Sequence, residues 1–148
     1  MKKILISENT FEKARKKIRE NKDKEIIFTS NDDELNRKIM EKENIINILI
    51  SQKSRKDFSK QRNSGLNQVM AKIAKKRKII INIDFDEIVD SKDKEKSRII
   101  SRIIQNIKLC NKYKVKMIFL SKKYKRSTHE FRALGLVLGM PTWMTKNF

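Results

Sequence analysis

Short apolar runs alternate with helical patterns along this chain. Ile4 to Ile6 reads as a short strand. Asn9 with Glu12 three positions on is a capping-box pattern, and Phe11, Ala14 and Ile18 then mark one helical face. Ile26 to Thr29 is a second strand. Residues 30–33 offer N-cap side chains, and Leu35, Ile39 and Met40 line a second helix. Ile45 to Ile50 is a third strand, apolar on both faces apart from Asn47, as in a strand with both faces covered or closed in a barrel. A long polar connection, Ser51 to Asn63, leads to a helix from Ser64 carrying Leu66, Val69, Met70, Ile73 and Ala74. Ile79 to Phe85 is the fourth strand, Asp86 to Lys96 a mixed-charge loop, and Arg98 to Tyr113 the longest helix, with a wide stripe of Ile and Cys110. Val115 to Leu120 is the fifth strand. Ser127 and Glu130 form another capping pattern before a last helix, which ends near Gly139 and Pro141.

Strand–helix alternation repeated five times predicts an α/β fold with one parallel sheet and right-handed crossovers. No Pro/Gly linker interrupts it, and 148 residues suit a single domain. All strands of such a sheet point the same way, so the segments that follow them gather on one carboxyl rim, where sites are built. Two of those segments are cationic. The first, after the third strand, holds Lys53, Arg55, Lys56, Lys60 and Arg62. The second, after the fifth, holds Lys122, Lys123, Lys125 and Arg126. The acids of residues 86–96 separate them into two positive lobes.

Charge makes those loops informative. The chain has 37 Lys and Arg against 18 Asp and Glu, a net charge of +19. A codon bias toward Lys and Ile explains the choice of Lys over Arg but not the scarcity of acids. The excess favours a polyanionic partner, nucleic acid above all, with salt-sensitive binding. Structured RNA is favoured over duplex DNA because no base-reading helix stands out. Phe58 and Tyr124, each set among cations, offer stacking surfaces or anchors for their loops.

Candidate catalytic chemistry is thin. His129 is the only histidine, too few for a zinc or two-metal hydrolase site. Asp84 and Asp86 read as polar residues at a strand end rather than Mg²⁺ ligands. Three glycines provide no phosphate-binding fingerprint. The single cysteine, Cys110, excludes an internal disulfide and falls on an apolar helix face. No apolar run reaches the length of a membrane span, and the N-terminal apolar run ends far short of a signal peptide; a cytoplasmic, membrane-free protein is expected.

Several segments in order carry a family resemblance: Asp33 to Arg37, Asn44 to Ile50, Arg62 to Asn67, Val69 to Ala74, the strand ending at Phe85, Arg98 to Arg102 with Asn106, Leu109 to Tyr113, Val115 to Ser121, Arg126 with Ser127, and Leu138 to Met140. Together they resemble archaeal ribonuclease P protein component 3 over nearly the whole chain. The likeness implies a TIM-like β/α barrel, here partial, with about five parallel strands. It also implies a protein subunit of a tRNA-processing ribonucleoprotein endonuclease whose chemistry, with its Mg²⁺, belongs to the RNA, so no catalytic residue is expected in this chain. Its expected partners are ribonuclease P RNA and protein component 2, with precursor tRNA met indirectly. Arg37, the loop from Arg55 to Arg62, Arg98, Arg102, Lys112 and Arg126 are the positions it marks for RNA contact or its support.

Departures from the family are Asn63 where an acid is common, Thr128 where proline is common, and Lys122 and Lys123 in place of small residues. A full barrel takes about 200–250 residues, and by this likeness the chain starts at the family's third strand and stops where the last unit begins. Open strand edges are then expected to be covered by a homodimer or another protein. Two other functions suit the same scaffold: a stand-alone tRNA- or ribosome-associated RNA-binding protein and, with less in its favour, a metal-dependent phosphoester hydrolase.

Overall fold

All five apolar runs become strands of a single parallel sheet. A computed structural model describes residues 1–148. Along the chain it has β1 (Lys3–Ser7), α1 (Phe11–Glu20), β2 (Glu25–Thr29), α2 (Asp33–Lys42), β3 (Asn47–Ile50), α3 (Gln68–Arg77), β4 (Ile80–Asp84), α4 (Phe85–Asp90), α5 (Asp93–Tyr113), β5 (Met117–Leu120), α6 (Thr128–Val137) and α7 (Thr142–Thr145). The spatial order of the strands, β1-β2-β3-β4-β5, repeats their order in sequence. Right-handed crossovers between successive neighbours put the helices on one side of the sheet. Accordingly α1 meets α2, α2 meets α3, and α3 meets α5. This is the wall of a β/α barrel, with β1 and β5 at its two edges.

Register explains the core. Ile6 lies opposite Phe28, Phe28 opposite Ile48, Ile48 opposite Ile81, and Ile83 opposite Phe119. These side chains share the helix-covered face and join Ile18, Ile39, Met70, Ile99, Ile103 and Ile107 in one buried cluster. Cys110 is buried in it too, and burial pushes its thiol up to about 12.

The opposite face carries a polar ladder. Lys3 Nζ lies 3.7 Å from Glu25 Oε1. Asn47 Nδ2 donates to the same oxygen at 2.9 Å, and Asn82 Nδ2 donates to Asn47 Oδ1 at 3.0 Å. Asn47 and Asn82 are only 1% exposed. With the helices on the other side, that burial reflects a sheet curved about its own concave interior. At the β5 end the C-terminus folds back: Phe148 packs edge-on to Phe119 with ring centres 6.0 Å apart, and Phe119 stacks on Phe131 of α6.

Several expected boundaries move. Residues 86–96 are not a loop: they are largely α4 and the first turn of α5. Phe85 and Ile88 supply the buried side of α4, and the Asp84 carboxylate caps it by accepting from Asp86 N and Glu87 N. α3 starts at Gln68, not at Ser64, because Asn67 accepts from Met70 N as its cap. Asn9 does not cap α1; Thr10 stands at that position, without a side-chain bond. Ser127 does cap α6, accepting from Glu130 N at 3.2 Å, but the Glu130 carboxylate turns to Arg126 at 3.4 Å.

Candidate nucleic-acid interface

The connection from β3 to α3, residues 51–67, is held like a folded element. Arg102, 1% exposed on α5, does most of the holding. Its Nε donates to Asp57 Oδ1 at 2.9 Å, Nη1 to the Gln52 carbonyl at 2.9 Å and Nη2 to the Arg55 carbonyl at 2.8 Å. That hydrogen bond is the largest influence keeping the Asp57 carboxyl below the usual carboxylate range. One turn on, Asn106 Nδ2 and Gln52 Nε2 both donate to the Ser64 carbonyl, at 3.0 and 2.7 Å. The Arg55 guanidinium makes a bidentate pair with Asp33, both contacts at 2.8 Å. Gly65, at φ 77°, lets this guanidinium pass, since any side chain there would collide with it and with Ile50.

The second basic loop, residues 121–127, hangs from α4. Backbone N–H groups of Lys122 and Lys123 donate to Asp86 Oδ2, each at 3.0 Å, and that of Tyr124 to Oδ1 at 3.1 Å. Burial works to raise the Asp86 pKa, but these donors and the Ser121 hydroxyl outweigh it and lower it. The Tyr124 hydroxyl and Lys123 Nζ both reach Asp90. The same short helix holds the first loop through Glu87, whose carboxylate accepts from the Ser51 hydroxyl and from Gln52 N at 2.8 Å. The acids that separate the basic lobes in sequence thus fix both of them on one rim. Crowding does raise one carboxyl: Asp84, mainly through burial and then through repulsion from Glu87 and Asp86, reaches about 6.

The candidate cations separate by what holds them. Lys53, Lys56 and Lys60 are exposed and make no ion pair with a carboxylate, and Lys122 and Lys125 are the same in the second loop. Lys53 and Lys56 line an open polar cleft of about 500 Å³ with Asn31, Asp33, Arg55 and Asn63 and no hydrophobic side chain. Arg62 is half exposed, 3.7 Å from Asp57. Arg126 and Lys123 are exposed but paired, with Glu130 and Asp90. Arg37 bridges Glu34 and Glu41, both at 3.1 Å. Arg98 is exposed on the outside of α5.

Two expected positions fall outside the exposed surface of these two loops. Arg102 is buried and all three of its guanidinium nitrogens donate to the loop, so of contact and support it has the second role. Lys112 sits in the last turn of α5, at the amino rim, away from both loops. Arg55, at 10% side-chain exposure, is closer to a support than to a contact. Sequence reasoning passed over Asp33, Asp57, Asp86 and Glu87 as builders of the surface. Phe58, 59% exposed between Lys56 and Lys60, is free of its loop's packing, whereas Tyr124 is an anchor. No three His, Cys, Asp or Glu side chains converge on a point suited to a metal ion, and no helix is long and apolar enough to cross a membrane.

No protein-family model matches the chain. Among characterised proteins it is similar to ribonuclease P protein component 3 of Methanococcus maripaludis, 25% identical over 115 residues, which cover 78% of this chain and 47% of that protein. The protein of the same name from Methanosarcina acetivorans is 34% identical over 83 residues, 53% of this chain and 35% of the relative. The chain thus spans about half or less of the length of these relatives. Among solved structures, a chain in a cryo-EM structure of archaeal ribonuclease P with mature tRNA superposes with a TM-score of 0.81 at 20% identity, over 97% of this chain and 62% of that one. The fold is the one that chain has, and the sequence likeness is to ribonuclease P protein component 3.

Proposed function

We propose, from the likeness to ribonuclease P protein component 3, that this chain is a protein subunit that binds and supports the catalytic RNA of ribonuclease P in tRNA 5′-end maturation. The observation that carries the reading is the pair of basic loops fixed on one rim by α4, with Lys53, Lys56, Lys60, Lys122 and Lys125 unpaired. Loops whose backbones are already held need no ordering at binding, and their lysines offset phosphate repulsion. Arg62, Lys123 and Arg126 add contacts by exchanging a carboxylate partner for a phosphate, with Arg37 and Arg98 at the margins. In this reading the RNA supplies the Mg²⁺ and the bond cleavage. Protein component 2 or a second copy of this chain covers a sheet edge, precursor tRNA is met through the RNA, and the site of action is the cytoplasm.

Reconstitution tests it. Precursor-tRNA cleavage by a candidate ribonuclease P RNA, with and without the protein, should need less Mg²⁺ when the protein is present. Affinity for that RNA should fall about 10³-fold between about 50 and 200 mM salt if about six phosphates are contacted. The variant Lys53→Glu/Lys56→Glu/Lys60→Glu should weaken binding while leaving the fold intact. A salt-independent affinity would overturn the electrostatic reading. Cleavage by the protein and Mg²⁺ without RNA would turn it into a hydrolase, and enrichment of bulk tRNA or rRNA in a pull-down would make it a stand-alone RNA binder.

A further inference from the structure

A second strongly basic surface lies on the opposite rim from the two basic loops. Residues 72–78 carry five cations and residues 108–116 four, with no acid in either segment. The first segment ends α3 and leads into β4; the second ends α5 and leads into β5, the neighbouring strand. Their tips touch: Lys75 Nζ donates to the Lys114 carbonyl at 3.3 Å. Together they frame a shallow cavity of about 240 Å³, floored by Ala74, Ile79, Ile80 and Val115 and edged by Lys75, Lys78, Lys114 and Lys116. None of these four lysines, nor Lys76 or Lys112, pairs with a carboxylate. On the carboxyl rim, by contrast, Arg55, Arg62, Lys123 and Arg126 all do.

Helix-end electrostatics explains part of this. Cations in a last turn complement the macrodipole, and Lys75, Lys76, Arg77 and Lys112 occupy such turns. It does not explain the two residues that follow. Lys78 and Lys114 cap α3 and α5 in the left-handed conformation, at φ 57° and 58°. Glycine is the comfortable residue there, and a lysine at both caps accepts backbone strain for a charge. Lysine is depleted from the cores of protein–protein interfaces, whereas a field of mobile point charges suits a phosphate backbone.

We infer that this amino rim is a second RNA-binding surface, so that one molecule bridges two RNA segments, one at each end of its sheet. The inference rests on the RNA-binding reading above. Strands of four or five residues place the rims roughly 15 Å apart before the loops are added, which lets separate helices engage at once.

Native mass spectrometry and fluorescence titration with a 12-base-pair RNA duplex test it on the whole chain. The wild type should take up two duplexes. Lys75→Glu/Lys76→Glu/Lys112→Glu, all exposed positions, should take up one, with a log–log salt dependence shallower by about 3. The neutral variant Lys75→Gln/Lys76→Gln/Lys112→Gln should show the same loss, and thermal melting identifies any variant that fails to fold. The carboxyl-rim variant Lys53→Glu/Lys56→Glu/Lys60→Glu should also retain one duplex. If the amino-rim variants keep the wild-type stoichiometry and slope, the second surface is overturned while the first stands. Binding of two duplexes by every variant would remove the RNA reading as well. A poly-glutamate peptide that binds the wild type and not the amino-rim variants, with duplex binding equal in both, would reassign the rim to an acidic protein and overturn the inference.

Discussion

A guanidinium in this protein is known by its acids. Arg55, Arg62 and Arg102 look alike in sequence, yet one is locked to Asp33, one leans on Asp57, and one is buried beneath the loop. The deciding partners lie 22 and 45 positions away, beyond the reach of local pattern. One signal was present: Arg102 and Asn106 fall on the same stripe of α5 as Ile99, Ile103 and Ile107, a placement that requires polar partners in the core. Replacing Arg102 by Lys keeps the charge but cannot serve a carboxylate and two carbonyls in one plane. Urea denaturation should show a loss of about 2–4 kcal/mol for Arg102→Lys and at least as much for Arg102→Ala. A change within about 0.5 kcal/mol for both would mean that the loop is not held from beneath.

At the scale of elements, the amphipathic helices and apolar strands were legible, with ends shifted by a residue or more. α4 was not. Its six residues are too few and too acidic to show a period, and only the spacing of Phe85 and Ile88 behind the Asp84 cap betrays it. The acids gathered around α4 give it a pH signature. Asp84, raised to about 6 by burial and neighbouring charge, binds a proton more tightly folded than unfolded. Stability should therefore rise as pH falls from about 7 toward 4. Asp57 and Asp86, whose carboxyls are lowered, contribute in the opposite sense, and their share is lost only as pH falls below about 4. Asp84→Asn keeps a cap oxygen, so it should stabilise the protein at neutral pH by ~1 kcal/mol after solvent screening, and flatten the rise. Thermal melts of both proteins between about pH 5 and 7.5 decide the matter; parallel profiles would refute it.

Across the whole molecule, alternation predicted one parallel sheet, and the sequential strand order matches the barrel that the family resemblance implied. The polar lining of the other side did not follow. Asn47 stood out as the one polar break in its strand, but only the structure shows that Glu25, Asn47 and Asn82 join hands across three strands. Asn47→Val should cost about 1–3 kcal/mol by stranding its neighbours, and adding Asn82→Val should cost less than the sum, with a coupling of roughly 1 kcal/mol. Strict additivity in chemical denaturation would mean that the two amides act independently.

The buried clamp under residues 51–64 has a consequence for how fast things happen. A segment already seated by Arg102 and Glu87 has no folding left to do when a polyanion arrives. Encounter then resembles the meeting of two finished shapes, with its speed set by long-range attraction and diffusion. In the proposed RNA complex, changes to the buried clamp should act mainly on lifetime, whereas changes to the exposed lysines of the segment should act on the rate of encounter as well.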